Sequence, residues 1–258
     1  QDANGKTVEL KDQGSGKYTL TMPAAAVTIS VKFAEGIADP DVTGVSDMLD
    51  TVNHKAYISG YPDGTFGPEG SITRAEVAAI FYRLLLDTNV EPAAFSDVES
   101  GTWYYDSVST LAGLGILQGY KDGTFRPNNP ITRAEFATIV TRFTKAVDIE
   151  YTTTFRDVNE DNWFYDAVNL AAHYGWIGGY GDGTFKPTNS INRTEAVKIV
   201  NGMLGRIADE SAIDSGLGAR FPDVVPSFWG YYHIIEAATT HTYSRPSNTS
   251  EESWENVS

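Results

Sequence analysis

Three arginines recur in phase along the chain, each inside the same short motif. Arg74, Arg133 and Arg193 follow Thr or Asn and precede a glutamate by two residues. A guanidinium fork matches a carboxylate, and free amides at a helix N-terminus add to that attraction. At a first helical position, however, a cation opposes the helix dipole by about 0.3–1 kcal/mol. The pattern therefore indicates either a repeated carboxylate-binding site or arginines that pair with a neighbouring Asp to hold the repeats together.

A glycine-rich loop precedes each arginine by fourteen positions and supplies the other candidate ligand residues. Its three copies are Gly60-Tyr61-Pro62-Asp63-Gly64-Thr65-Phe66, Gly119-Tyr120-Lys121-Asp122-Gly123-Thr124-Phe125 and Gly179-Tyr180-Gly181-Asp182-Gly183-Thr184-Phe185. Each tyrosine is placed to stack on a sugar or to pack against its own loop. The phenylalanines are predicted to be core. In the second and third loops, Arg126 and Lys186 occupy the position that Gly67 has in the first loop. This difference predicts extra positive charge at two sites and weaker binding at the site of the first loop. One Asp per loop indicates a turn, because calcium needs several spaced oxygen ligands.

A helix is predicted to begin at each arginine motif. Thr73 with Glu76, Thr132 with Glu135 and Asn192 with Glu195 have the spacing of capping boxes, so these residues are assigned to capping rather than to ligand binding. Apolar residues then recur at spacings of three and four, as Val77, Ile80 and Phe81 do in the first copy. Each of these helices therefore presents one apolar stripe to a core.

Another helix is predicted before each loop, announced by an Asp-Val pair with a tryptophan six positions after the Asp. The pairs are Asp97 with Trp103 and Asp157 with Trp163, and both tryptophans are predicted to be core. The first copy lacks this signal, so its first helix is placed at 45–57. An unpartnered half-motif, with Asp223 and Trp229, occupies 221–243. We expect its helix to pack against residues 73–86 and so complete a threefold ring, because an isolated repeat cannot bury its apolar stripe.

Composition and charge bound the remaining choices. The 258 residues carry a net charge of −15, which disfavours nucleic acid as a partner, and no apolar run reaches the ~18 residues of a membrane span. With no cysteine, disulfides and zinc thiolate sites are excluded. The predicted organisation is strands of a small β module at 1–35, a linker at 36–44, repeats at 45–92, 93–150 and 151–210, a closing half-motif at 211–243 and a flexible polar tail at 244–258.

The triplicated loop, the Ile-Thr-Arg-Ala-Glu of 72–76 and 131–135, and the preceding Asp-Val and tryptophan resemble the S-layer homology domain. This resemblance implies a mainly α fold in which three helix-loop-helix repeats form a pseudo-threefold spindle with grooves. It also implies non-covalent anchoring of an exported bacterial protein, outside the cell, to a secondary cell wall polysaccharide that carries pyruvylated sugars. A pyruvyl ketal offers the carboxylate that the three arginines are suited to bind. On this interpretation, replacing them should remove binding and leave helix content unchanged.

No enzymatic site is predicted. The four histidines share no spacing with a nucleophile or a carboxylate pair, and no phosphate-binding loop or His-Glu-x-x-His occurs, so neither a cofactor nor a metal is expected. Two alternatives to a wall tether remain: a module that self-associates in a surface lattice, or the anchor of an upstream surface enzyme.

Overall fold

The computed structural model describes residues 39–147, 155–246 and 250–258, together with the backbone of 11–12 and 18–19. It divides into two compact units, residues 1–35 and 36–258. In the first unit, β1 (Lys11–Asp12) and β2 (Tyr18–Thr19) pair antiparallel. The rest of the β module predicted at 1–35 lies outside the described residues. Within the described part of the chain, no helix has the length and apolar character that crossing a membrane requires.

The second unit is mainly helical, as the repeats predict, and a short sheet ends it. Its elements are α1 (Pro40–Thr43), a 3-10 turn (Val45–Asp47), α2 (Arg74–Leu84), α3 (Tyr105–Gly113), α4 (Arg133–Thr141), α5 (Tyr165–His173), α6 (Arg193–Leu204), α7 (Glu210–Asp214), α8 (Tyr231–Ala238), β3 (His241–Ser244) and β4 (Ser253–Val257). Helices α2, α4 and α6 are the second helices of the three repeats, whereas α3, α5 and α8 follow the three tryptophans.

The second helices begin where the capping boxes predict. In α2 the side chain of Thr73 accepts the amide proton of Glu76, and the Glu76 carboxylate accepts the amide proton of Thr73. The same reciprocal pair occurs at Thr132 in α4 and at Asn192 in α6. The apolar stripes of all three helices are buried in one continuous core, together with the loop phenylalanines.

The three repeats meet around a pseudo-threefold centre. The amide of Ile72 donates to the carbonyl of Ile191, Ile191 donates to Ile131, and Ile131 donates to Ile72, at 3.2, 3.1 and 3.1 Å. All three isoleucine side chains are buried. Because each isoleucine directly precedes a capping residue, this cyclic set of hydrogen bonds fixes where α2, α4 and α6 begin relative to one another.

Each first helix packs against the second helix of the preceding repeat: α3 on α2, α5 on α4, and α8 on α6. The expectation that the last helix packs against residues 73–86 is therefore wrong. The loop that leads into α8 instead reaches the first repeat, where the ring of Phe221 lies 5.2 Å from that of Phe66.

The helix predicted at 45–57 is also wrong. Only the 3-10 turn Val45–Asp47 forms there, and an extended segment follows. Asp50 ends the helical conformation because its carboxylate accepts the amide protons of Val52 and Asn53 in a side-chain turn. Tyr57, farther along, donates its amide proton to the carbonyl of Ala237 at the end of α8.

The polar tail does not behave as the flexible segment predicted at 244–258. Ser253–Val257 forms β4, which pairs antiparallel with β3. Glu252 is buried directly before that strand, and its amide donates to the carbonyl of Ile207. The end of the chain is therefore tied to the segment after α6 by contacts that the polar composition did not reveal.

Candidate functional site

The three in-phase arginines, here called the junction arginines, cross the boundaries between repeats. In each, Nε and Nη2 donate to backbone carbonyls of the next repeat and Nη1 donates to the glutamate of that repeat's capping box. The partners are Phe125, Gln118 and Glu135 for Arg74; Phe185, Gly178 and Glu195 for Arg133; and Phe66, Ser59 and Glu76 for Arg193, all at 2.8–3.3 Å. The pattern is cyclic, since the third repeat bonds to the first.

These contacts match the interpretation in which the arginines hold the repeats together, with one change. The partner of each guanidinium is a glutamate rather than an aspartate. The junction arginines are also buried, at 6%, 7% and 3% exposure for Arg74, Arg133 and Arg193. A guanidinium has five N–H donors, so two remain in each beyond the three already bonded. The junction arginines thus lie in the interior and connect neighbouring repeats, and only the edge of each guanidinium borders the surface.

Each capping glutamate accepts hydrogen bonds from both of the repeats that meet at a junction. In Glu76, Oε2 accepts the amide proton of Thr73 at 2.8 Å, while Oε1 accepts from Arg193 at 3.0 Å and from the Tyr61 hydroxyl at 3.1 Å. One carboxylate therefore caps a helix and neutralises the arginine beside it. This arrangement explains why a cation recurs at the first position of a helix, where it would otherwise be unfavourable.

A groove opens beside two of the junctions, and the loop tyrosine, the junction arginine and the capping glutamate line it. Groove one is bordered by Ser59, Gly60, Tyr61, Glu76, Arg83, Trp103 and Arg193. Groove two is bordered by the equivalent residues Gln118, Gly119, Tyr120, Glu135, Arg142, Trp163 and Arg74. At the third junction, Arg133 meets Gly178 and Glu195 in the same way and lies 5.1 Å from the Tyr180 ring. The structure thus brings the predicted ligand residues of two neighbouring repeats into each groove.

The tryptophans contradict their assignment to the core. Trp103, Trp163 and Trp229 are 64%, 68% and 55% exposed. Each precedes the first helical residue by two positions, so it lies outside the apolar stripe of its helix. Trp103 and Trp163 instead stand at the edges of grooves one and two. Large exposed aromatic rings beside a cleft are typical of a surface that binds something.

The loop cations lie over the tyrosine rings. The guanidinium of Arg126 is 4.0 Å from the centre of the Tyr120 ring, and Lys186 Nζ is 3.9 Å from that of Tyr180. Both residues have φ near +60°, where a side chain is strained by about 1–2 kcal/mol, and Gly67 has the same conformation without that cost. Two loops therefore keep a strained cation above an exposed tyrosine, and the first loop does not.

The loop glycines have a packing role. A Cβ atom built on Gly60 would stand 2.7 Å from the carbonyl oxygen of Thr65 and 2.7 Å from the Phe221 ring. Gly119 and Gly179 are equally confined by the carbonyls of Thr124 and Thr184. These contacts explain a glycine at each position, so binding to a ligand is not needed to account for them.

Sequence reasoning missed one pair of cations, Arg83 and Arg142. They stand nine positions after Arg74 and Arg133, and the in-phase position in the third repeat is Gly202. Arg83 donates one hydrogen bond to the carbonyl of Tyr57, and Arg142 donates one to that of Ile116. Partial burial lowers the pKa of both arginines from its ordinary value. The repeat phase was the signal that would have found them.

Three repeats joined in a ring, with grooves at two of the junctions, define a protein module built from tandem repeats. The chain matches the S-layer homology domain three times, over residues 40–78, 94–137 and 154–197. It belongs to that family through three tandem repeats, as its motifs predicted.

The relatives of this chain include proteins named for the cell surface, for anchoring and for the S-layer. Cell surface glycoprotein 1 of Acetivibrio thermocellus is 38% identical over 204 residues, which are 74% of this chain and 9% of the relative. The cellulosome-anchoring protein of the same organism is 34% identical over 78% of this chain and 46% of its own length. S-layer protein EA1 of Bacillus anthracis is 31% identical over 70% of this chain and 22% of its own. The chain thus spans less than half of each, and their names agree with the predicted location at the cell wall.

Proposed function

We propose that this chain anchors a larger exported protein to the bacterial cell wall by binding a pyruvylated secondary cell wall polysaccharide in its grooves. The observation that carries the proposal is the pairing, in grooves one and two, of an accessible arginine with an exposed tryptophan: Arg83 with Trp103, and Arg142 with Trp163. The membership in a family whose relatives include an anchoring protein and S-layer proteins supports it.

The chemistry of each groove suits an acidic sugar. An indole ring provides a flat apolar surface for the C–H face of a pyranose, and an arginine fork can bind a ketal carboxylate at two points. Arg83 and Arg142 are better placed for this role than the junction arginines, whose Nε, Nη1 and Nη2 atoms are all committed to the next repeat. The junction arginines position the groove, and their edges frame the ligand.

Attraction at these sites acts over short distances. The chain as a whole carries a charge of −15, so an acidic polymer meets repulsion far from the grooves. At physiological ionic strength, exposed charges are screened beyond about 8 Å. Binding therefore depends on the arginines that line each groove, and charges elsewhere on the surface contribute little.

Sedimentation with purified cell wall sacculi tests the proposal. The wild-type chain should sediment with native sacculi and stay in solution when pyruvyl groups have been removed chemically. Arg142→Gln should weaken sedimentation, whereas Lys121→Gln, the same loss of charge on the neighbouring loop, should not. Equal retention on native and depyruvylated sacculi would contradict a carboxylate ligand. Sedimentation in the absence of sacculi would instead favour a self-assembling lattice module.

A further inference from the structure

Four buried ionisable side chains meet where the first repeat joins the C-terminal end of the chain. His54 precedes the first loop, Glu236 lies on α8, His241 begins β3, and Glu252 directly precedes β4. All four side chains are 0% exposed. One nitrogen or oxygen from each points to a common centre, and these four atoms lie within 4.8 Å of one another. We call this group the seam cluster.

Five of the six separations within the seam cluster are close to those between the ligands of a tetrahedral metal ion, and the sixth, between the two carboxylate oxygens, is within 4.8 Å. His54 Nδ1 lies 3.2 Å from His241 Nε2, 3.0 Å from Glu252 Oε2 and 3.4 Å from Glu236 Oε1. His241 Nε2 lies 3.3 Å from Glu252 Oε2 and 3.5 Å from Glu236 Oε1. Ligand atoms about 2.0–2.1 Å from a tetrahedral zinc ion stand about 3.3–3.4 Å apart. The five distances fall on both sides of that value.

Hydrogen bonds account for only part of this arrangement, since those within the cluster join His54, His241 and Glu252 but leave out Glu236. His241 Nδ1 lies 3.2 Å from the carbonyl oxygen of Thr239, which can only accept, so that nitrogen carries the proton. The other nitrogen, Nε2, faces His54 Nδ1 and one oxygen of each of the two carboxylates. Among the described residues, no group donates a hydrogen bond to either oxygen of Glu236. Its nearest polar neighbours are the two imidazole nitrogens, at 3.4 and 3.5 Å. Burying two carboxylates side by side is costly, and a cation at the centre would offset that cost.

Outer contacts hold three of the four side chains, those of Glu252, His241 and His54, in this orientation. Glu252 Oε1 accepts the amide proton of Ile207 at 2.9 Å, which leaves Oε2 for the centre. The His241 ring stacks on Trp254, with ring centres 4.2 Å apart, and the His54 ring stacks on Tyr243 at 4.0 Å. Metal ligands in proteins are typically fixed by such outer partners, and a backbone carbonyl on the second nitrogen of a histidine is a frequent one.

We propose that the seam cluster is a structural zinc site that joins the two ends of the repeat ring. Two imidazoles and two carboxylates form a tetrahedral N2O2 set that zinc accepts, and the two carboxylates balance its charge. His54 belongs to the first repeat, and the other ligands belong to the C-terminal closure, so one ion ties together segments that are far apart in sequence. No metal was expected from the sequence, because these two histidines and two glutamates show none of the spacings of a known metal motif.

Metal content of the untagged chain provides the first test. After incubation with zinc chloride and exhaustive dialysis, elemental analysis should find one zinc per chain in the wild type. Glu236→Gln, which keeps the shape of the side chain and removes its charge, should retain a small fraction of that zinc. His173→Gln, on an exposed histidine outside the cluster, should bind zinc like the wild type. Only trace zinc in the wild type, or equal zinc in the wild type and Glu236→Gln, would overturn the proposal.

Cobalt substitution tests the site without any variant. Cobalt(II) in a tetrahedral site absorbs strongly in visible light, whereas octahedral cobalt on a protein surface absorbs weakly. The wild-type chain should give the strong spectrum at one equivalent of cobalt, and zinc should abolish it. Removing the metal with a chelator should lower the melting temperature by several degrees and make β4 more sensitive to protease. A weak octahedral spectrum, or a melting temperature unchanged by chelator, would contradict a structural site. Neither readout depends on the polysaccharide.

Discussion

The carboxylate of Asp223 accepts the amide proton of Gly67 at 2.7 Å, across 156 positions of the chain. Its other oxygen accepts the amide proton of Phe66 at 2.8 Å. Asp97 and Asp157 make the same pair of bonds to the loops of the second and third repeats, but from only 28 or 29 positions away. The C-terminal half-motif thus supplies to the first repeat the aspartate that its own sequence lacks.

Asp223→Ala should therefore destabilise the entire ring. The change removes two charge-assisted hydrogen bonds at a partly exposed site, which we expect to lower the free energy of unfolding by ~1–2 kcal/mol. Thermal unfolding monitored by circular dichroism measures the effect. Asp161→Ala, on an exposed residue in the third repeat, is the matched control and should melt like the wild type. Identical melting of both variants would show that the first loop does not depend on this closure.

Stability should fall in acid because the loop aspartates ionise unusually easily. Hydrogen bonds from the Thr124 side chain, from Arg126 and from the Thr124 amide lower the pKa of Asp122 to about 2. The pKa of Asp182 is also lowered, mainly by Thr184. A depressed carboxyl pKa stabilises the fold above the unfolded value of about 4 and loses that contribution as pH falls toward the folded value. The melting temperature should therefore drop between about pH 4 and 2, and less steeply for Asp122→Asn.

The junction arginines should be needed for folding before they are needed for binding. Arg193→Lys keeps the charge, but an ammonium group lacks the planar fork that donates to two carbonyls and a glutamate at once. We therefore expect the free energy of unfolding to fall by ~2–4 kcal/mol. Urea titration measures it, with Arg156→Lys on the surface as control. The expectation that all three arginines can be replaced with helix content unchanged does not agree with their burial. A triple alanine variant with wild-type stability would restore it.

The exposed tryptophans should matter for binding and little for stability. Trp163→Ala should change the free energy of unfolding by less than ~0.5 kcal/mol, as is usual at the surface, while lowering retention on sacculi. Phe125→Ala, in the buried core of the second repeat, should cost ~3–5 kcal/mol. Retention and urea titration on both variants separate the two roles. A Trp163→Ala chain that binds normally would remove the tryptophan from the proposed site.

Binding at the third junction, where Arg133 meets Glu195, should be weaker than in grooves one and two. The reason is that Gly202 stands where those two grooves have an arginine. A Cβ atom at Gly202 meets only the Trp176 ring at 3.6 Å, which is ordinary contact. Gly202→Arg should therefore fold, and calorimetric titration with a pyruvylated saccharide should show an additional site or a tighter one. Gly202→Gln, of similar reach without the charge, should leave the titration unchanged. The same titration for both variants would mean that this position does not contact ligand.

The sequence predicted the structural features that depend on residues close together in the chain or on the repeat period. The capping boxes place the starts of α2, α4 and α6, because a cap and its glutamate are three residues apart. The repeat period likewise predicts the family and three grooves. The prediction for Trp103 failed because size alone suggested burial, although the residue lies outside the helical stripe. The position of Arg142 within its repeat would have identified it as a candidate. The seam cluster, by contrast, joins residues almost 200 positions apart, and only the folded ring brings them together.

The most direct test of the central claim is calorimetric titration of the wild-type chain with a defined wall saccharide in two forms, with and without its pyruvyl ketal. We expect measurable binding of the pyruvylated form and no binding when the ketal is absent, since the carboxylate partner of Arg83 and Arg142 is then missing. The same affinity for both forms would contradict carboxylate recognition in the grooves.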